Sequence, residues 1–282
     1  MARRWYIPLL AMPVAIGSLI AVAVGVASAS PGLAHPAARP AAAHTVFPGT
    51  PMIRPSGIAM PSLGGNVNTT VASSNWSGYA VTGRAGAFRS VSASWVQPQA
   101  HCAGVAGHRF AAFWVGLDGF NSRSVEQTGS DTDCVGTRPT YYGWYEMFPA
   151  APVFFRTKLN PGDHMSASVT FLGAGRGYVL VLRDSTRPWT HTIIKHEGGL
   201  ARSSAEVITE APATVDQNGN VRILPLADFG TIRYAGSRVN GVLLLNLAPV
   251  RIKMVDSRSL LMDTTSLIGP LDAFTNKWIR SF

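Results

Sequence analysis

From Val71 to its end the sequence is cut into short apolar stretches by turn residues, and no stretch has the length and period of a crossover helix. S-V-S-A-S-W-V (90–96), F-A-A-F-W-V-G-L (110–117), T-Y-Y-G-W-Y-E-M-F (140–148), P-V-F-F-R-T-K-L (152–159), S-A-S-V-T-F-L (166–172) and Y-V-L-V-L-R-D (178–184) read as strands. T-H-T-I-I-K-H (190–196), A-E-V-I-T-E (205–210), T-I-R-Y (231–234), G-V-L-L-L-N-L (241–247) and R-I-K-M-V (251–255) continue the pattern. N-P-G-D at 160–163 is a turn, because Pro sets φ and Gly supplies the permissive corner. Only L-A-D-F within P-L-A-D-F-G (225–230) reads as a short helical turn. Many strands without crossover helices predict an all-β fold, an antiparallel β-sandwich.

The chain before Val71 is different. A basic start, an apolar run and the small-residue site Ala27-Ser28-Ala29 make residues 1–29 a signal peptide, with a retained membrane anchor as the rival reading. Residues 30–70 are rich in Pro, Ala and Gly and show no apolar face, as in a propeptide or linker poorly ordered on its own. That leaves 71–282 as the folded domain, and once the leader is cleaved no stretch is apolar enough to span a membrane. Export favours pairing the only two cysteines, Cys102 and Cys134. A zinc set of His101, Cys102, His108 and Cys134 matches no recurring ligand spacing, so no metal is expected. The net charge of +9 includes Arg3, Arg4, Arg39 and Arg54 of the first seventy residues, which hold no acid. The remaining basic residues are scattered singly, which predicts a solvated basic surface and no nucleic-acid partner.

The usual catalytic motifs are missing: there is no G-x-S-x-G and no H-E-x-x-H. Asp131-Thr132-Asp133 is only a fragment of a calcium loop, and Lys195-His196-Glu197 reads as a solvated turn. Two strands mix carboxylates with large apolar groups on one face. These are Glu206, Ile208 and Glu210 in A-E-V-I-T-E, and Tyr142, Trp144, Glu146 and Phe148 in the aromatic strand. Such a face suits a substrate groove. Glu206 and Glu210 lie roughly 13 Å apart along a strand, too far for a glycosidase pair, which needs about 5–9.5 Å.

S-S-N-W-S-G-Y (73–79), W-V-G-L-D-G (114–119), Q-T-G (127–129), Y-G-W-Y-E-M-F-P (142–149), P-G-D (161–163), A-E-V-I-T-E (205–210) and L-A-D-F-G (226–230) follow one another in this order. The ordered set resembles the glutamic peptidases, or eqolisins, over most of residues 71–235. The resemblance implies a secreted, usually acid-active endopeptidase without cofactor, acting as a monomer on polypeptide substrates. It also implies a concanavalin-like sandwich of two curved sheets. It places the catalytic pair on Gln127 and Glu210, with Trp76, Trp114, Asp118, Trp144 and Glu146 around the groove. The pairing makes chemical sense: Glu210 would take a proton from water and return it to the leaving amine, while the Gln127 amide would donate to the oxyanion. Tyr142 departs from the family, which usually carries an acid there, and the basic charge departs from its strongly acidic fungal members. The alternatives are a carbohydrate-binding or glycoside-hydrolysing sandwich, separable by reducing-sugar release, and a secreted binding protein without turnover.

Strand alternation in S-V-E-Q-T-G-S-D (124–131) puts Val125, Gln127 and Gly129 on one face and Glu126 and Thr128 on the other. Glu126 is thus expected to be a bystander on the convex face.

Overall fold

The structure, a computed structural model, describes residues 46–55, 69–216, 218 and 220–282. The signal peptide expected at 1–29 lies outside the described residues. The strands in chain order are β1 (Val46–Phe47), β2 (Thr70–Ser73), β3 (Trp76–Thr82), β4 (Ser90–Val96), β5 (His108–Arg109), β6 (Ala112–Leu117) and β7 (Val125–Val135). There follow β8 (Arg138–Phe148), β9 (Val153–Phe154), β10 (His164–Gly173), β11 (Gly177–Asp184), β12 (Trp189–Lys195), β13 (Ser204–Glu210) and β14 (Ala213–Val215). The last are β15 (Val221–Ile223), β16 (Thr231–Val239), β17 (Val242–Leu243), β18 (Val250–Val255), β19 (Leu261–Thr265) and β20 (Phe274–Trp278).

Strand pairing resolves these into two layers. One runs β12-β11-β10-β4-β16-β20 and the other β18-β3-β13-β6-β7-β8-β9, with β19 joining β20 to β18. Every ladder in this path is antiparallel; β2 adds to β18 in parallel. Alternation decides what lies between the layers. Val91, Ala93 and Trp95 of β4 and Val169 of β10 meet Phe113, Val115 and Leu117 of β6 and Val207 of β13 in one apolar core. The opposite face of the second layer carries its own cluster, with Trp76, Ala112, Trp114, Val125, Trp144 and Ile208. The fold is therefore the expected antiparallel β-sandwich, and the residues singled out for function sit on the outer face of one sheet.

Three local expectations differ. The 152–159 stretch pairs only at β9, after which the Phe155 ring stacks on His191 with centroids 4.0 Å apart. The 241–247 stretch leaves the ladder after β17 and coils into a 3-10 turn, Leu244–Leu247, because the buried Asp272 carboxylate accepts from the amides of Leu244 (2.7 Å) and Leu245 (2.9 Å). L-A-D-F is extended rather than helical: Ala227 N–H donates to the Phe110 carbonyl, and the Asp228 carbonyl accepts from His101 N–H.

Cys102 and Cys134 form a disulfide with Cα atoms 5.5 Å apart, closing a loop over a sequence separation of 32. Among the described residues no helix is long and apolar enough to cross a membrane. In the chain-entropy view such a cross-link is worth on the order of 3–4 kcal/mol. A Cys102→Ser/Cys134→Ser variant should lose about that much in urea unfolding, with an unchanged far-ultraviolet circular dichroism spectrum.

Candidate active site

Glu210 ends β13 with its side chain on the outer face of the second layer, fully buried. Its neighbours in register are Trp76 on β3 and Ala112 on β6. Alanine keeps that side of the carboxylate open, and two indoles fill the space. Trp76 and Trp114 cross edge to face with centroids 5.0 Å apart, and both Nε1–H groups donate to Glu210 Oε2, at 2.9 and 3.1 Å. Oε1 accepts from Asn75 Nδ2 (3.0 Å), Thr50 N (2.9 Å) and Thr50 Oγ1 (2.7 Å). Five donors thus converge on one carboxylate. Asn75 was not among the residues expected here, although it sits in the S-S-N-W-S-G-Y segment; nothing in an isolated Asn marks it.

Gln127 lies two strands away and four residues along, because it faces Gly116 of β6 and, beyond that, Glu206. Its Nε2 donates to Glu146 Oε2 on β8 (2.8 Å) and to the Gly49 carbonyl (2.9 Å). Glu146 is its direct cross-strand partner, and this bond fixes which way the amide points. Gly129, two residues on, stands between Trp114 and Trp144 in the ladder. A Cβ there would overlap the Phe113 carbonyl and come within 2.6 Å of Trp114 Cβ, which explains the glycine of Q-T-G. Register alone leaves Gln127 and Glu210 apart, yet both reach the Gly49–Thr50 peptide group, Gln127 on its oxygen and Glu210 on its nitrogen.

A profile of the peptidase A4 family matches residues 74–256. The chain belongs to the peptidase A4 family. It is thereby a hydrolase of peptide bonds, and the sugar-directed alternatives fall away. The fold is similar to scytalido-glutamic peptidase crystallised with a transition-state analogue inhibitor (TM-score 0.63, 24% identity, covering 73% of this chain and 98% of that one). It is also similar to SCP-B, an eqolisin crystallised with the tripeptide Ala-Ile-His (TM-score 0.59, 24% identity, 73% and 98% covered). At that identity the likeness concerns the fold. No curated protein matches the sequence.

Within this peptidase A4 chain the other expected groove residues divide. Trp144 is buried beside the pair but gives its Nε1–H to Asp131 Oδ1 (2.6 Å), not to Glu210. Asp118 is not aimed at the pair: at the end of β6 it adopts φ 69° and accepts from the amides of Arg202 (2.6 Å) and Ser203 (2.9 Å), clamping a loop. Tyr142, the departure from the family pattern, donates its hydroxyl to Asp133. Glu126 does face away from Gln127, but the far side is the sandwich interior. It is 1% exposed, not a residue of an open convex face, because β7 is covered on both sides.

The sheet holds an unusual number of buried acids. Burial pushes Glu126, Asp131, Glu146, Glu206, Glu210 and Asp263 well above the usual carboxylate range, and Asp133 up to about 7. The Glu210 charge raises Glu146 further, and Asp133 does the same to Asp131. At Glu210 itself the hydrogen bonds from Thr50, Asn75 and Trp76 oppose the effect of burial. Neither oxygen of Glu126 or of Glu206 has a hydrogen-bond partner among the described residues.

Unfolded carboxyls titrate near 4, and these folded ones higher, so between those values the native state holds more protons than the unfolded chain. Stability should therefore be fullest near pH 4 and fall as pH rises through about 7. Thermal unfolding should show a midpoint lower at pH 8 than at pH 4. Glu126→Gln, which replaces a buried neutral acid by a neutral amide, should narrow that gap by raising the pH 8 midpoint, with activity at acidic pH unchanged. A midpoint that rises from pH 4 to pH 8 would contradict this reading.

Proposed function

We propose that this peptidase is a secreted endopeptidase that uses Glu210 and Gln127 on a water molecule and works at acidic pH. In this reading residues 1–29 are a removed leader, residues 30–70 a pro-segment and residues 71–282 the catalytic domain. The observation that supports it best is the shared grip on one peptide group: a donor on the carbonyl oxygen and a carboxylate against the nitrogen.

That arrangement is what hydrolysis asks for. Glu210 as carboxylate takes a proton from water, whose oxygen attacks the carbonyl carbon. The carbonyl π electrons move to oxygen, and the Gln127 Nε2–H stabilises the oxyanion without carrying charge of its own. Glu146 holds the amide in place by accepting its other N–H, at 2.8 Å. Collapse of the tetrahedral intermediate breaks the C–N bond, and Glu210 returns the proton to the departing amine. The two indole donors hold Glu210 Oε2, whereas two of the three donors on Oε1 come from Thr50 of the overlying segment, so Oε1 is the atom that handles the proton once a substrate takes that segment's place.

The acid preference follows from crowding. Glu146 and Asp131 both feel the Glu210 charge, so they must keep their protons for that charge to form; burial raises all three, and the donors gathered on Glu210 favour it as the first to ionise. Cleavage of a denatured protein should be maximal below neutrality and decline as these neighbours lose their protons. Glu210→Gln should abolish it, and Gln127→Ala should reduce it by roughly 10²–10³-fold, the usual cost of an oxyanion donor. Both variants should keep the wild-type circular dichroism spectrum. More than a few per cent of activity left in purified, folded Glu210→Gln protein would refute the assignment, and a chelator should change nothing because the scheme uses no metal.

A further inference from the structure

The segment before the domain is not idle. Residues Val46–Pro55 cross the outer face of the second layer, in strand form at Val46–Phe47. At one end β1 pairs antiparallel with β14 through Val46↔Thr214 and Phe47↔Ala213. At the other, Ile53 N–H donates to Asn75 Oδ1 (2.7 Å) and the Ile53 carbonyl accepts from Ser74 N (2.8 Å). Between these anchors lies F-P-G-T-P-M. Phe47 meets Phe148 edge-on at 5.6 Å, and Met52 is buried in the outer apolar cluster. Prolines at 48 and 51 hold φ on either side of Gly49–Thr50 and so reduce the entropy lost on binding.

Two details set this apart from a substrate on its way to cleavage. Thr50 Oγ1 donates to Glu210 Oε1 at 2.7 Å, the kind of hydrogen bond that an attacking water would have to make to its base. Together with the other four donors it fills the carboxylate, which has about four lone-pair sites. Gly49 approaches so closely that a Cβ on it would overlap the Gln127 amide. An ordinary residue could not lie where Gly49 lies without moving Gln127 or the strap.

We propose that Val46–Ile53 is the site's own peptide ligand, bound in substrate register and left uncut because the Thr50 hydroxyl takes the place of the lytic water on Glu210. The groove is thereby assigned a ligand chemistry: an extended Phe-Pro-Gly-Thr-Pro segment, with glycine against Gln127 and a hydroxyl against Glu210. This rests on the catalytic reading above.

The test uses the full chain, shown intact by mass spectrometry, with initial rates on an unrelated fluorogenic peptide. Hydrogen exchange of the Thr50, Met52 and Ile53 amides is followed in parallel. The wild-type chain should be slow and its strap amides protected. Thr50→Val, which removes the hydroxyl at nearly constant shape, and Gly49→Ala should each raise the rate roughly tenfold or more, the scale of one lost hydrogen bond to a charged group. Thr50→Ser, which restores the hydroxyl, should behave as wild type. Rates in Thr50→Val and Gly49→Ala equal to that of the intact wild-type chain would overturn the proposal, as would self-cleavage of the wild-type chain between residues 49 and 50. If Gly49→Ala frees the strap amides yet no variant cleaves any peptide, occupancy of the groove stands and the peptidase assignment to Gln127 and Glu210 fails instead.

Discussion

A buried carboxylate must be surrounded by donors, and the outer face of the second layer is organised around meeting that demand at Glu210. Its oxygens cannot reach bulk water, so an unpaired charge there would cost several kcal/mol. The indoles of Trp76 and Trp114 supply two N–H groups, and they are apolar enough to seal the site as they do so. For two such rings to converge on one oxygen, the strands beneath must present almost nothing else. Ala112 in the Glu210 row and Gly129 beneath Trp114 satisfy that requirement, and either with a larger side chain would displace a ring from the carboxylate.

The same logic explains why an amide stands opposite. Glu146 and Asp131 already share the face with Glu210; burial drives all three toward the protonated form, and the Glu210 charge adds to it at Glu146 and Asp131. A fourth carboxyl at position 127 would have joined that competition for protons. The Gln127 amide instead donates at any pH, and a single carboxylate beside it is enough to orient it. Glu206, four residues before Glu210 on β13, has no such partner, and with Glu126 it shows that the sheet tolerates buried acids by keeping them neutral.

Much of the fold was legible because alternation is a local signal. β4, β10, β11 and β13 each bury every second residue in the same core, and their periodicity reads directly off the chain. The misreadings came where a distant group decided the local form: Asp272 bends the apolar 241–247 run into a turn, and Phe110 pairs with the L-A-D-F segment in extended form. The candidate pair was accessible only through resemblance. Gln127 and Glu210 are neither neighbours in register nor related by a spacing, and their meeting depends on a third segment. That segment carries no period, since its ties are hydrogen bonds to its backbone and two isolated apolar anchors, Phe47 and Met52, rather than a repeating apolar face.

Tethering explains how so short a ribbon can hold a groove. A free peptide with its few anchoring contacts would bind weakly, because it would surrender translational freedom as well as conformational freedom. Joined to the domain through the thirteen residues between Pro55 and Thr69, the strap acts at an effective concentration that for short linkers is of order millimolar. Modest intrinsic affinity is then sufficient for near-complete occupancy. The same arithmetic makes the state reversible by a single cut in the connection, since the severed ribbon is diluted and its contacts no longer suffice. A strap held by many weak bonds to backbone and indole groups, with its one charged contact at Glu210, is therefore well suited to being strong in the intact chain and weak outside it.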